Sequence, residues 1–401
     1  MIYTKNRTVK TKLPHNKTES YLQILRQYEP DGMVSSLPVI WKKAKGYSVW
    51  DIFGNKFIDF TSTIFVTNSG HGGISNAIKN QADELIHCYN YPNLPRIQLI
   101  KKLKKLLPHF CEKIYLASTG SEVTDWATKL MRHYGKKSNR NIIISYIGSF
   151  HGKVGDAAKL ENQELRLPLP ESDEDWELHK KLIKKVVKKC CGIMIESYQG
   201  WNARFLPEKY IQNLVDFCKE HDIIVCFDEI QGGFYRTGTK FAYNHYQVQP
   251  DLICLGKALG GGVPISALCG RAKLFTGVEG MSSTHSANPL CCAGAHAALE
   301  ILEELNKNEF YLKQLLLIKY LDRLSNHYKI TIHGRGFLYG LIFENKEIAD
   351  QICYDCMQNG LLVVRTGKES IKIGPPLTIS ESALLEGLRV LENSIKKILK
   401  G

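Results

Sequence analysis

The feature that most constrains the fold lies between residues 113 and 269, where short apolar runs alternate with longer amphipathic segments. The runs 113–117, 141–145, 192–195, 223–227, 252–255 and 265–269 are rich in Ile, Val, Leu, Phe and Cys. Apolar runs of that length, with little polar alternation, suit strands covered on both faces. Between them, segments from about 121, on to 189 and at about 207–221 repeat apolar residues at helical spacing. Strand and helix in alternation imply parallel strands joined by crossover helices. The expected fold class is therefore α/β, with a large, doubly wound, mostly parallel sheet flanked by helices on both faces.

The rest of the chain reads differently. Residues 47–60 (YSVWDIFGNKFIDF) suggest two short strands around a Gly54-Asn55 turn, and helical patterns follow near 72–88 and 94–107. After about residue 288 come two long helical patterns, strands near 330–343, 361–364 and 370–373, and a last helix from about Ser380. The expected organisation is an N-terminal segment 1–45 packing with the small domain, a large domain 46–290, and a small C-terminal α+β domain 291–401.

Composition narrows the function classes. With 44% hydrophobic and 23% charged residues, wholesale disorder is excluded. The net charge of +13 raises the question of polyanion binding, but the lysines fall in runs such as LIKKLKKLL (99–107) and HKKLIKKVVKK (179–189). Apolar residues at helical spacing leave those lysines on solvated faces, so neither a nucleic-acid nor a membrane partner is expected. No stretch approaches the ~18 apolar residues needed to span a bilayer, and residues 1–17 contain no apolar signal core, so a cytoplasmic location is expected. The twelve cysteines lie scattered through apolar segments, as reduced core cysteines do. The CxxC at Cys353 and Cys356 has no matching second pair, so helix packing is expected and no metal site.

In open α/β sheets, ligands bind beyond the carboxyl ends of the strands. The unusual polar residues of this chain sit at those ends: Thr119-Gly120-Ser121 after 113–117, Ser149-Phe150-His151-Gly152 after 141–145, Glu196 after 192–195, Asp228 after 223–227, and Lys257 after 252–255. Each alone fits a bland role, such as a helix cap, a core histidine, a loop salt bridge or a surface lysine. Together they place an acid and a lysine beside an anion cradle at the ends of successive strands. A Walker A loop fails, because Asp251 and Ala258 stand where Gly and Ser or Thr are required, and no GxGxxG after a strand, HExxH or GxSxG occurs. The requirements that remain are those of pyridoxal phosphate: donors at a helix N-terminus for the phosphate, a lysine for the aldehyde, and a carboxylate for the ring nitrogen.

Residues 227–238 (FDEIQGGFYRTG), 250–264 (PDLICLGKALGGGVP) and 283–293 (STHSANPLCCA) resemble the signature segments of class III aminotransferases, the ω-aminotransferase-like branch of fold type I pyridoxal-phosphate enzymes. The likeness runs from about Val49 to about Leu377. It implies Lys257 as the Schiff-base lysine, Asp228 as partner of the pyridine nitrogen, and Gln231 beside the ring hydroxyl. Gly120 and Ser121 would hold the phosphate with Thr284 of a neighbouring subunit. Phe150 would stack on the ring with His151 close behind, and Glu196 would be the acid beside the site. The family's shared site also implies a homodimer. The reaction implied is ping-pong transfer of an amino group from a donor such as glutamate to a carbonyl acceptor. A decarboxylase or aminomutase of the same fold, or a silent cofactor-binding regulator, are the rival readings.

Departures from the pattern bear on the substrate. Lys153 follows His151-Gly152 where many members have arginine, and Lys372 precedes the PPL motif in SIKIGPPL where a carboxylate-binding arginine is usual. A lysine offers a point charge in place of a bidentate fork, with Arg365 nearby to compensate. Glu196 to Asn202 runs ESYQGWN, placing Trp201 where a second glutamate is familiar. These positions suggest an ω-amine or an amino-sugar type substrate.

Overall fold

The computed structural model describes residues 1–31, 37–62, 67, 69–160, 165–201, 204–366 and 369–400. The chain forms two compact units, one built from Met1–Gly72 and Leu305–Gly401, the other from Gly73–Glu304.

The unit Gly73–Glu304 holds the expected sheet. Seven strands run in the order Lys113–Ala117, Ser266–Gly270, Leu252–Leu255, Ile224–Asp228, Cys190–Glu196, Ile142–Tyr146 and Arg166–Leu167. All pairs are parallel except those of Ser266–Gly270, which runs antiparallel to both neighbours. The chain reaches that strand from Leu255 through only a short turn of 3-10 helix, Lys257–Leu259, and without a crossover helix a parallel return is out of reach. Strands such as CCGIMIE, IVCFD and LICL are buried along their whole length, which explains their continuous apolar character.

Helix Gly120–Lys136 shows how sequence places an element here. Thr119 opens it with a capping box, its Oγ1 accepting from the Glu122 N–H at 3.3 Å while Glu122 Oε2 accepts from the Thr119 N–H at 2.7 Å. Val123, Ala127, Leu130 and Met131 form its buried stripe, packed with Ile143, Met194, Cys226 and Leu268 of the sheet. In helix Leu94–Leu106, Leu99 and Leu103 are buried while Lys101, Lys104 and Lys105 are exposed. Helix Asp175–Val186 likewise buries Trp176, His179 and Ile183 and exposes Lys181, Lys184 and Lys185.

The other unit carries a four-stranded antiparallel sheet in the order Thr331–Arg335, Leu338–Ile342, Ser370–Ile373, Val364–Thr366. Its second sheet includes the hairpin Ser48–Asp51 and Lys56–Asp59. Helices Lys307–Tyr328, Lys346–Gln358 and Glu381–Lys400 belong to it, as does Thr18–Tyr28. Cys353 and Cys356 are both buried on the second of these, and all twelve cysteines are free thiols. The unit boundaries differ from the sequence expectation at 45 and 290. Residues 46–72 join the terminal unit because Lys56–Asp59 pairs in parallel with Leu361–Leu362. Residues 291–304 stay in the central unit, where Ala297 and Ala298 of helix Pro289–Glu303 pack against Ile74. Among the described residues, no helix is long and apolar enough to cross a membrane.

Candidate active site

The carboxyl ends of the central strands bring most of the singled-out residues of this unit together. Asp228 and Glu196 stand opposite each other in register at the ends of paired parallel strands. Asp228 Oδ2 lies 3.0 Å from His151 Nδ1, with the two side chains 6% and 2% exposed. Its Oδ1 accepts the Ile230 N–H at 3.1 Å. Two polar groups so deeply buried must answer each other, and this pair does.

Glu196 is held by two backbone donors, the Phe150 N–H to Oε2 and the Gly200 N–H to Oε1, each at 3.0 Å. Burial pushes its carboxyl up to about 7; His151 and the two N–H groups pull the other way, while the neighbouring Asp228 adds to the rise. Gln231 belongs to the same cluster: a Cβ added at Gly200 would lie 2.8 Å from Gln231 Oε1 and 3.1 Å from Glu196 Oε1. Phe150 meets Trp201 edge-on at 6.3 Å, and Trp201 is 48% exposed.

Lys257 follows its strand with a left-handed backbone, φ +33, a conformation that costs a non-glycine residue free energy. Burial draws its amine below the usual lysine range, opposed by the charges of Asp228 and Glu196. An amine held closer to neutrality by its surroundings can act as a nucleophile and a base.

The helix start at Gly120 faces a tight turn. Ser121 Oγ accepts from the Lys153 N–H at 3.3 Å. Gly152 has φ +107, and a Cβ there would lie 2.6 Å from Ser121 Oγ, so only glycine lets the turn approach the helix so closely. A Cβ at Gly120 would lie 2.8 Å from Ile230 Cδ1. Glycine thus brings the turn and the Ile230 side chain close against the start of a helix that Thr119 caps, the kind of place where backbone donors meet an anion.

Of the remaining candidates, Thr284 and Lys153 belong to this unit, and Lys372 and Arg365 to the terminal one. Thr284 is exposed, its carbonyl accepting from His87 Nε2 at 2.9 Å. Lys153 is exposed. In the terminal unit Lys372 is buried in strand Ser370–Ile373, opposite Gly340 and Val364. Arg365, expected to compensate for a missing carboxylate-binding arginine, is engaged within its own unit: its Nε donates to Asp350 Oδ1 at 2.6 Å and its NH1 to the carbonyls of Thr366 and Ser370. From the sequence, Glu229 suggests no more than a loop salt bridge and Ile230 no role, although both sit inside the motif FDEIQ. The available signal was a second acid directly after Asp228.

This donor set fits pyridoxal phosphate. It supplies a helix start approached closely by a glycine turn, an amine drawn toward neutrality and a buried carboxylate fixed by a histidine. The class-III aminotransferase family matches the chain over residues 31–164 and 159–395. An acetylornithine aminotransferase of Methanocaldococcus jannaschii is 32% identical, covering 94% of this chain and 99% of that protein. An acetylornithine/succinyldiaminopimelate aminotransferase of Buchnera aphidicola is 31% identical, covering 90% of this chain and 93% of that protein. Among solved structures, an ornithine aminotransferase of Plasmodium yoelii superimposes with a TM-score of 0.81 at 28% identity, covering 95% of this chain and 99% of that one. Fold, strand-end chemistry and kinship agree: the chain belongs to the class III aminotransferases, enzymes of pyridoxal-phosphate fold type I that depend on that cofactor.

Proposed function

We propose that the enzyme moves an amino group between an amino-acid donor such as glutamate and the ω-position of a compound of the ornithine class, and that residues at the strand ends carry the chemistry. The observation that carries the site assignment is the joining of Asp228, His151 and Glu196 with Lys257 and the glycine-bordered helix start at Gly120. The names of relatives support the substrate class: acetylornithine aminotransferases, and an ornithine delta-aminotransferase of Plasmodium falciparum at 28% identity.

When bound, pyridoxal phosphate supplies an aldehyde that condenses with amines and a ring that draws electrons from the bond being broken. Lys257 Nζ would be the amine that holds the aldehyde, and as a free amine it would serve as the base that accepts the proton leaving the substrate carbon. Asp228, fixed by His151 and the Ile230 N–H, keeps the proton on the ring nitrogen. Gly120 and Ser121 offer N–H groups of the first helical turn and the Ser121 hydroxyl to the phosphate, completed by Thr284 of a second subunit. Phe150 is the stacking residue, and Gln231 and Glu196 border it. Lys153 is the candidate cation for a substrate carboxylate, and Trp201 stands beside Phe150.

A homodimer is part of the proposal. Leu85, Ile86, Tyr89, Tyr91, Leu94 and Ile97 are all exposed within one stretch, and clustered exposed apolar side chains suit an interface. That stretch is tied to the loop carrying Thr284 through His87 and through the Asn288 Nδ2 bond to the Ile86 carbonyl.

The test is a donor panel on purified protein loaded with pyridoxal phosphate. Borohydride should fix the cofactor on Lys257, and ornithine-type ω-amines and glutamate should each bleach the bound chromophore. A panel in which only amino groups α to a carboxylate react, with the ω-amino group of ornithine-type compounds left untouched, sinks the ω-amine assignment. Reaction confined to amino sugars instead favours the exposed Trp201 as a stacking surface for a sugar ring.

A further inference from the structure

We propose that Glu229 is a positioning residue, a buried carboxylate clamp that fixes the two strand ends presenting Glu196 and Asp228. Glu229 directly follows Asp228 and is 1% exposed. Its Oε1 accepts from the hydroxyl of Ser197 and from the Tyr243 N–H at 2.7 Å, and its Oε2 accepts from the Ala242 N–H at 2.8 Å. Ser197 is the residue directly after Glu196. One carboxylate thus joins the end of strand Cys190–Glu196, the end of strand Ile224–Asp228 and the turn Ala242–Tyr246.

Backbone bonds run alongside the clamp. The Ser197 N–H donates to the Asp228 carbonyl at 3.3 Å, and the Glu229 N–H donates to the Cys254 carbonyl at 2.9 Å, reaching the strand that leads to Lys257. Tyr246, from the clamped turn, donates its hydroxyl to the Ser197 carbonyl at 2.7 Å. The loop between Glu229 and Ala242 carries Gln231 and begins with Ile230, whose side chain faces Gly120 and lies 3.3 Å from where a Cβ on Gly256 would sit. Gly232 lets this loop fold back, since a Cβ there would lie 2.6 Å from Ala242 Cβ and 3.4 Å from Glu229 Oε2.

Only a carboxylate answers this geometry. Three donors converge on two oxygens, whereas an amide offers a single acceptor oxygen and turns its NH2 toward one of the donors. Burial pushes Glu229 up to about 7, while the bonds from Ser197, Tyr243 and Ala242 hold it down and the charge of Asp228 adds to the rise. A buried acid is costly where packing alone is required. Here its three bonds set the separation of the acids on either side of it, and a displacement of ~1 Å at a reacting group costs ~100-fold in rate.

The inference rests on the roles proposed above for Asp228 and Glu196. The test measures kcat per pyridoxal-phosphate-loaded site, donor KM and melting temperature for Glu229→Gln and Ser197→Ala. Glu229→Gln is expected to lower kcat per loaded site by ~10- to 100-fold with donor KM nearly unchanged. Ser197→Ala, which removes one arm, should lower it by ~2- to 10-fold. If Glu229 merely holds the fold, melting temperature and loaded fraction fall but each loaded site turns over at the wild-type rate, and the proposal is overturned. Should Glu229→Gln fail to fold, Ser197→Ala decides by the same criterion. Wild-type protein that takes up no pyridoxal phosphate would instead overturn the reading of the site beneath it, a result visible before any variant is made.

Discussion

Asp228→Asn is the substitution that bears hardest on the site. It preserves shape and replaces one charged oxygen by an NH2 group, beside a histidine 3.0 Å away and a backbone N–H 3.1 Å away. A hydrogen bond to a charged group contributes about 1.5–3 kcal/mol, and at about 1.36 kcal/mol per decade the lost partnership with His151 alone is worth ~10- to 150-fold. The larger effect is electronic, because an amide cannot hold a proton on the cofactor's ring nitrogen, and turnover is expected to drop by several powers of ten. Two neighbours report the change independently. The charge of Asp228 pushes both Glu196 and Glu229 upward, so both should titrate lower in the variant. The assay is a stopped-flow half-reaction with the donor amino acid on loaded sites, with melting temperature as the control for folding. Turnover within ~10-fold of wild type in a folded, loaded Asp228→Asn enzyme would refute the assignment.

Two further outcomes follow from the geometry. Gly152→Ala should weaken pyridoxal phosphate binding by ~5- to 150-fold, because φ +107 and a Cβ 2.6 Å from Ser121 Oγ impose strain of about 1–3 kcal/mol on the turn at the helix start; cofactor titration by thermal shift reads it, and an unchanged affinity would show the turn to be uninvolved. Glu196 titrates at about 7 in the folded protein against an ordinary value of 4.5, so folding takes up a proton between those values. Its stabilising contribution is complete below the unfolded value and is lost as pH rises through the folded one. Cofactor-free wild type should therefore lose more stability than Glu196→Gln between about pH 5 and 8 in denaturant melts, and parallel curves would contradict the burial argument.

Much of the fold was legible along the chain because a strand buried on both faces must be apolar throughout and must end where a polar residue begins. That rule placed Glu196 and Asp228 at strand ends and Lys257 just beyond one. Strand direction was less legible, since Ser266–Gly270 is as apolar as its parallel neighbours and only its short connection makes it antiparallel. The extents of the two compact units are less legible, because they depend on pairing across long sequence separations, Leu361 with Ile58 for instance. Arg365 looked available as a cation, yet it is engaged by Asp350 on a neighbouring helix.

The sequence by itself determined which residue types close each strand, where the helix at Gly120 starts, and the family to which the motifs belong. Tertiary structure alone decided that His151 answers Asp228 across 77 positions and that the Glu229 carboxylate reaches Ser197 and the turn at Ala242. It also set the ionisation of the site, drawing Lys257 down and Glu196 up. Local pattern follows from each residue's own covalent and solvation preferences. A pKa or a buried hydrogen bond depends on which distant groups exclude water around it, and only the packed fold specifies those.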